Sequence, residues 1–159
     1  MHIIITMDTL DKLIEKVTNE LGKGSKLKDL KPILASYTGD DWKGYCKFCD
    51  QNYKRNIVSR TELLDVMVIC WNNKQESGIH DHPEGGCLLR VMQGTLTEEV
   101  YILEDEQPKQ TKVNHVSVDD ISYKIGVSGL HNIINSEDSK SVTLHLYSPG
   151  SYTPNFYDP

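Results

Sequence analysis

The segment GIHDHPEGGCLLRVMQG, residues 78–94, sets His80 and His82 two positions apart, just ahead of an apolar run. Side chains alternate faces along an extended strand, so both imidazoles project to one side, as two neighbouring ligands of one metal must. Two solvated surface histidines have the same spacing, so the pair alone implies nothing more specific. The flanking segments decide the fold class. ELLDVMVICW (62–71) is apolar and β-branched with no polar helical face, and reads as a buried strand. CLLRVMQG (87–94), LTEEVYIL (96–103), KVNHVSV (112–118), ISYKIG (121–126), HNIIN (131–135) and SVTLHLYS (141–148) follow, separated by Gly, Asn, Asp, Ser and Pro. Six or more short strands in so little chain predict a mainly β protein, an all-β barrel or sandwich.

The first third reads differently. Apolar residues at Leu10, Leu13, Ile14, Val17 and Leu21 recur at helical spacing, with Asp8 or Thr9 to cap the start and Gly22 at the end. A second helical stretch is expected from Asp29 to Tyr37. A third begins near Asp40, with Trp42, Tyr45, Cys46 and Cys49 on one apolar face. The expected organisation is one domain over 1–159, helical to about residue 52 and β from about 53, the helices packed outside the sheets. No repeat, low-complexity tract or linker interrupts it.

The 159 residues carry a net charge of -6. That balance argues against nucleic acid or an anionic membrane as the main partner, while leaving room for a small anionic substrate at a locally basic site. No signal-peptide core or membrane-spanning run is legible, so the expected compartment is cytoplasmic. Four cysteines in such a chain read as thiols, not a disulfide framework. Cys46 and Cys49 form a C-x-x-C with no matching pair nearby, and both they and Cys70 are read as core residues. His2 and His115 are read as surface residues.

The spacing around His80 and His82 resembles the first motif of the cupin family, in which H-x-H is followed after four residues by glutamate and after six more by glycine. Here Cys87 takes the glutamate position and Gly94 the glycine. His131, followed after three residues by Asn135, resembles the second motif, with Gly126 and Gly129 upstream in place of its usual proline and glycine. The resemblance implies a jelly-roll-like barrel with His80, His82 and His131 on one metal. Three neutral imidazoles leave a ferrous ion its full charge and open positions, which suits an anionic thiolate; they suit zinc as well.

With Cys87 at that position, the chain resembles eukaryotic cysteine dioxygenase from about Tyr53 to Pro149, through YKRNIV (53–58), CWNNKQESGIHDH (70–82) and SVTLHLYSP (141–149). The resemblance implies non-haem Fe(II), dioxygen as co-substrate, L-cysteine as substrate, cysteine sulfinic acid as product and a monomeric enzyme. It assigns Arg55 to the substrate carboxylate, with Tyr53 in the same pocket. It assigns Cys87 and Tyr147 to a thioether crosslink, Thr143 and His145 to hydrogen bonds toward the tyrosine hydroxyl, and a cis bond to Ser148–Pro149. Thr143 stands where the family has serine and keeps the hydroxyl. The family continues through further strands beyond Tyr147; were such strands missing, a sheet edge would be exposed and the site more open. Three alternatives stand beside this reading: a dioxygenase for 3-mercaptopropionate or cysteamine, a metal-binding cupin without catalysis, and a zinc cupin with isomerase or hydrolase chemistry.

Overall fold

The computed structural model describes residues 6–159; His2 therefore lies outside the described residues. Helix α1 (Leu10–Gly22) begins where the periodicity predicts. Thr9 caps it, its side chain accepting from the Lys12 amide at 3.2 Å. A 3-10 turn (Leu27–Leu30) leads into α2 (Lys31–Ser36), with Pro32 at its start, where a missing N–H costs nothing. The expected third helix is only a 3-10 turn, Asp41–Tyr45. Trp42 is buried, but Tyr45 is 39% exposed and the backbone is already extended at Cys46. Gly44 sits in the turn and lowers its helical preference, so no apolar helical face carries on to Cys49. Cys46 and Cys49 are each only half-buried, and Cys46 alone of the two packs on the core.

The strands are β1 (Lys54–Arg60), β2 (Asp65–Trp71), β3 (Ile79–His80), β4 (Cys87–Gln93), β5 (Thr95–Glu104), β6 (Gln107–Ser117), β7 (Ile121–Lys124), β8 (Leu130–Ile134), β9 (Ser141–Tyr147) and β10 (Phe156–Tyr157). They form two antiparallel five-stranded sheets, ordered β1-β2-β9-β4-β7 and β10-β3-β8-β5-β6. The mainly β expectation holds, with all helices ahead of the first strand. At the β4 entrance Gly86 has φ +95, and a Cβ there would lie 2.5 Å from the Tyr123 ring, so glycine lets β4 start against β7.

Strands β2 and β9 are buried on both faces, which is why neither shows polar alternation. One face, with Val66, Val68, Cys70, Leu88, Val142, Leu144 and Leu146, packs against Leu10, Leu13, Val17, Leu30 and Leu34 of the helical part. Each such side chain contributes roughly 1.5–3 kcal/mol. Arg90 ties the layers together, donating to Leu34 O at 2.8 Å, Tyr37 O at 2.7 Å and Asp119 Oδ1 at 2.9 Å. The opposite face, with Met67, Ile69, Trp71, Leu89 and Val91, meets Leu96 and Ile133 of the second sheet. The site lies in this inter-sheet layer. Among the described residues no helix is long and apolar enough to cross a membrane.

Candidate metal centre and substrate cavity

Period-two alternation places the site residues. On β9 the residues Thr143, His145 and Tyr147 face the inter-sheet layer, while Leu144 and Leu146 face the helices. His80 on β3 pairs directly with His131 on β8. His82 lies just beyond β3, its amide donating to Gly126 O at 3.2 Å. The three histidines are buried, and their ligand atoms lie within 4.8 Å of one another.

Hydrogen bonds fix which nitrogen of each ring is free to act as a donor to a metal. His80 Nδ1 lies 2.8 Å from Gly78 O, His82 Nδ1 2.6 Å from Gly129 O, and His131 Nδ1 2.8 Å from Glu98 Oε2. A carbonyl and an ionised carboxylate only accept, so in each ring Nδ1 carries the proton and Nε2 is a lone pair. Burial holds His80 down to about 3 and keeps His82 and His131 below the usual histidine range, so all three rings are neutral. His82 Nε2 and His131 Nε2 then meet at 3.0 Å with no proton between them. Two lone pairs at that distance repel unless a cation lies between, and the residues fit a metal ion bound through three Nε2 atoms. Gly126 and Gly129, upstream of His131 in sequence, serve His82 through their carbonyls. Asn135 is a fastener: its Nδ2 donates to Trp71 O and Asn72 O at 3.1 Å and to Ser139 O at 2.8 Å.

Beside the cluster is a cavity of about 20 Å³, lined in part by Tyr53, Arg55, Trp71, His80, His131 and Tyr147. Tyr53 stacks on Trp71 with centroids 4.8 Å apart. Arg55, half-buried on β1, lies over the Tyr147 ring at 5.8 Å. The other two arginines pair with Asp65 and Asp119, whereas Arg55 pairs with no carboxylate among the described residues. The expected residues Tyr53, Arg55, His80, His131, His145 and Tyr147 thus share one cavity, with His82 completing the histidine cluster behind it. Thr143 reaches the cavity only through His145.

A hydrogen-bonded row runs along β9. Trp71 Nε1 donates to Thr143 Oγ1 at 3.0 Å, Thr143 Oγ1 lies 2.7 Å from His145 Nε2, and His145 Nδ1 lies 3.0 Å from the Tyr147 hydroxyl. Trp71 is only a donor, and the Thr143 proton finds its acceptor at His145 Nε2. His145 therefore donates from Nδ1, and the Tyr147 hydroxyl, on a residue that lines the cavity, keeps its own proton free to donate. Burial keeps His145 well below the usual histidine range and Tyr147 well above the usual tyrosine range, so both stay neutral. Cys87 is buried, which pushes its thiol up, and its Sγ lies 3.8 Å from His145 Nδ1.

The Ser148–Pro149 peptide is cis, and His115 is exposed on β6, both as expected. Three features went unread in the sequence. Glu98 is buried against His131, although its place in phase with buried Leu96 was a signal. Asp81 is fully buried on the side away from the histidines. Pro154 and Phe156, from the terminal segment, help wall the cavity.

A family model described as cysteine dioxygenase type I matches residues 5–159, the helical part included. Curated relatives include human cysteine dioxygenase type 1, 30% identical over 159 residues, covering 94% of this chain and 79% of that protein. The zebrafish cysteine dioxygenase type 1 is 29% identical, covering 92% and 77%. Among solved structures, an uncharacterised double-stranded β-helix protein from Klebsiella pneumoniae matches with TM-score 0.63 and 21% identity, over 74% of this chain and 89% of that one. A Bacillus subtilis oxalate decarboxylase matches with TM-score 0.54 and 14% identity, over 66% and 28%. These two likenesses carry the fold alone, which is the cupin fold.

Proposed function

Because the chain belongs to the cysteine dioxygenase type I family, we propose that it oxidises L-cysteine with dioxygen to cysteine sulfinic acid at a ferrous ion held by His80, His82 and His131. One observation carries the reading furthest. His80 and His131 of the histidine cluster, an arginine with no carboxylate partner among the described residues and a hydrogen-bonded tyrosine all line one small cavity. The ferrous ion, when bound, supplies the coordination positions at which a thiolate and dioxygen react, and both oxygen atoms finish on sulfur. With Cys87 a neutral buried thiol where the cupin pattern has a carboxylate ligand, the three neutral imidazoles would leave a bound ferrous ion open to an anionic thiolate substrate.

The chain's own residues bind and orient. Arg55 receives the substrate carboxylate through its planar fork, with both oxygens engaged. Tyr53 and Trp71 form an apolar wall that excludes water. The Tyr147 hydroxyl, fixed by His145 and Thr143 behind it, donates into the cavity toward the reacting groups. Holding the partners in one geometry is the main catalytic contribution.

Oxygen uptake by iron-loaded protein with cysteine, 3-mercaptopropionate and cysteamine tests this. Cysteine is expected to be turned over fastest, with sulfinate as the product. Uptake with 3-mercaptopropionate matching or exceeding that with cysteine would reassign the substrate, and no thiol-dependent uptake by iron-loaded protein would reduce the site to a binding module.

A further inference from the structure

His131 differs from His80 and His82 in what holds its outer nitrogen. Neutral backbone carbonyls accept from His80 and His82, but a carboxylate, Glu98, accepts from His131 at 2.8 Å. The Glu98 side chain is only 2% exposed. It also accepts from Ser122 Oγ at 2.7 Å and Asn114 Nδ2 at 3.0 Å, and Lys124 Nζ lies 3.6 Å away. The Lys124 side chain, 18% exposed, forms the solvent-side end of this row. Burying an anion is costly unless donors surround it, and here they do. A ring that donates to a carboxylate has a fixed tautomer and a more basic second nitrogen.

We propose that Glu98 is a positioning residue that returns to the three-histidine centre, through His131, the negative charge that Cys87 withholds, with Lys124 setting how much of it is felt. This rests on the reading of His80, His82 and His131 as metal ligands. The carboxylate that the cupin pattern places on the metal is thus moved one residue outward. His131 becomes the strongest donor of the three.

Anaerobic Fe(II) titration of metal-free protein against a competing chelator tests the assignment, together with the ferric/ferrous potential and the unfolding temperature of the metal-free protein. Glu98→Gln keeps the shape and an acceptor oxygen but loses the charge. Its iron affinity is expected to fall about tenfold or more and its potential to rise, at an unchanged metal-free unfolding temperature. Lys124→Met is expected to move affinity and potential the opposite way. Affinity of Glu98→Gln within about twofold of wild type, or both variants losing affinity in parallel with unfolding temperature, overturns the proposal. Should Glu98→Gln fail to fold, Lys124→Met decides: tighter binding with a lower potential supports it, and no change or weaker binding overturns it. Wild-type protein that binds iron but consumes no oxygen with cysteine would sink the reaction and leave Glu98 in place. Wild-type protein that binds no iron would defeat the ligand assignment itself.

Discussion

Cys87 and Tyr147 stand directly opposite each other across the β4–β9 ladder. Residues so paired project to the same face, and His145 Nδ1 is a shared neighbour, 3.8 Å from the sulfur and 3.0 Å from the phenol oxygen. A bond from Cys87 Sγ to the Tyr147 ring carbon beside the hydroxyl releases the S–H and C–H hydrogens, with two electrons passing to dioxygen. Intact mass after exposure to iron, cysteine and oxygen is therefore expected to drop by two hydrogens, and Cys87→Ser to show no drop. An unchanged mass in iron-loaded wild type that is turning over cysteine would exclude the crosslink while leaving the dioxygenase reading intact.

Arg55 is the one arginine left without a carboxylate among the described residues, and it faces the cavity. A charge-assisted hydrogen bond is worth about 1.5–3 kcal/mol. Arg55→Ala is accordingly expected to lower kcat/KM for cysteine by roughly 10- to 100-fold, with iron content retained. Cysteamine, which lacks the carboxylate, is expected to react at the same rate with both proteins. An equal loss for both thiols would remove the carboxylate-binding role.

The strand half of the fold was legible because β2, β4, β8 and β9 are short apolar runs separated by turn residues. The histidines were legible because their spacing is periodic. What escaped is what periodicity does not encode. β3 and β10 are two-residue strands defined only by each other and by β8. β1 carries charged residues at an edge, so KRNIVSR does not look like a core strand. Asp81 and Glu98 are charged residues in a buried layer, and their meaning comes from donors distant in sequence, such as Tyr152 and Ser122. Trp42, Tyr45, Cys46 and Cys49 have helical spacing, but Gly44 lies among them and the chain forms only a 3-10 turn there.

Thr143 joins Trp71 to His145, so its hydroxyl supports the row behind Tyr147. Thr143→Val keeps the shape but leaves the Trp71 N–H and His145 Nε2 without partners. Unfolding stability is expected to fall by about 1–3 kcal/mol, and kcat on the order of tenfold for one lost orienting bond, with iron content unchanged. Thr143→Ser restores the hydroxyl and is expected to recover both. Wild-type kcat in Thr143→Val, measured with confirmed iron loading, would show that the row does not orient Tyr147.

Asp81 sits between the two histidines that open the metal motif, yet its carboxylate points away from them into the terminal segment. It accepts from Tyr152 OH and the Asn155 amide at 2.8 Å, from Asn155 Nδ2 at 2.9 Å and from Tyr157 OH at 3.2 Å. Its own amide donates to Asn155 O at 3.1 Å, and β10 pairs with β3 immediately beside it. The same segment brings Pro154 and Phe156 to the cavity wall. One carboxylate therefore ties the cover of the cavity to the backbone that carries His80 and His82. Removing it strands four donors, a loss of about 1–3 kcal/mol for each that stays buried, so the segment is expected to detach and let water satisfy them. Asp81→Ala should be cleaved by protease within 150–159 faster than wild type, and its KM for cysteine should rise while iron is retained. Cleavage and KM both matching wild type would mean that the segment is held by its strand pairing and that Asp81 contributes only to local folding.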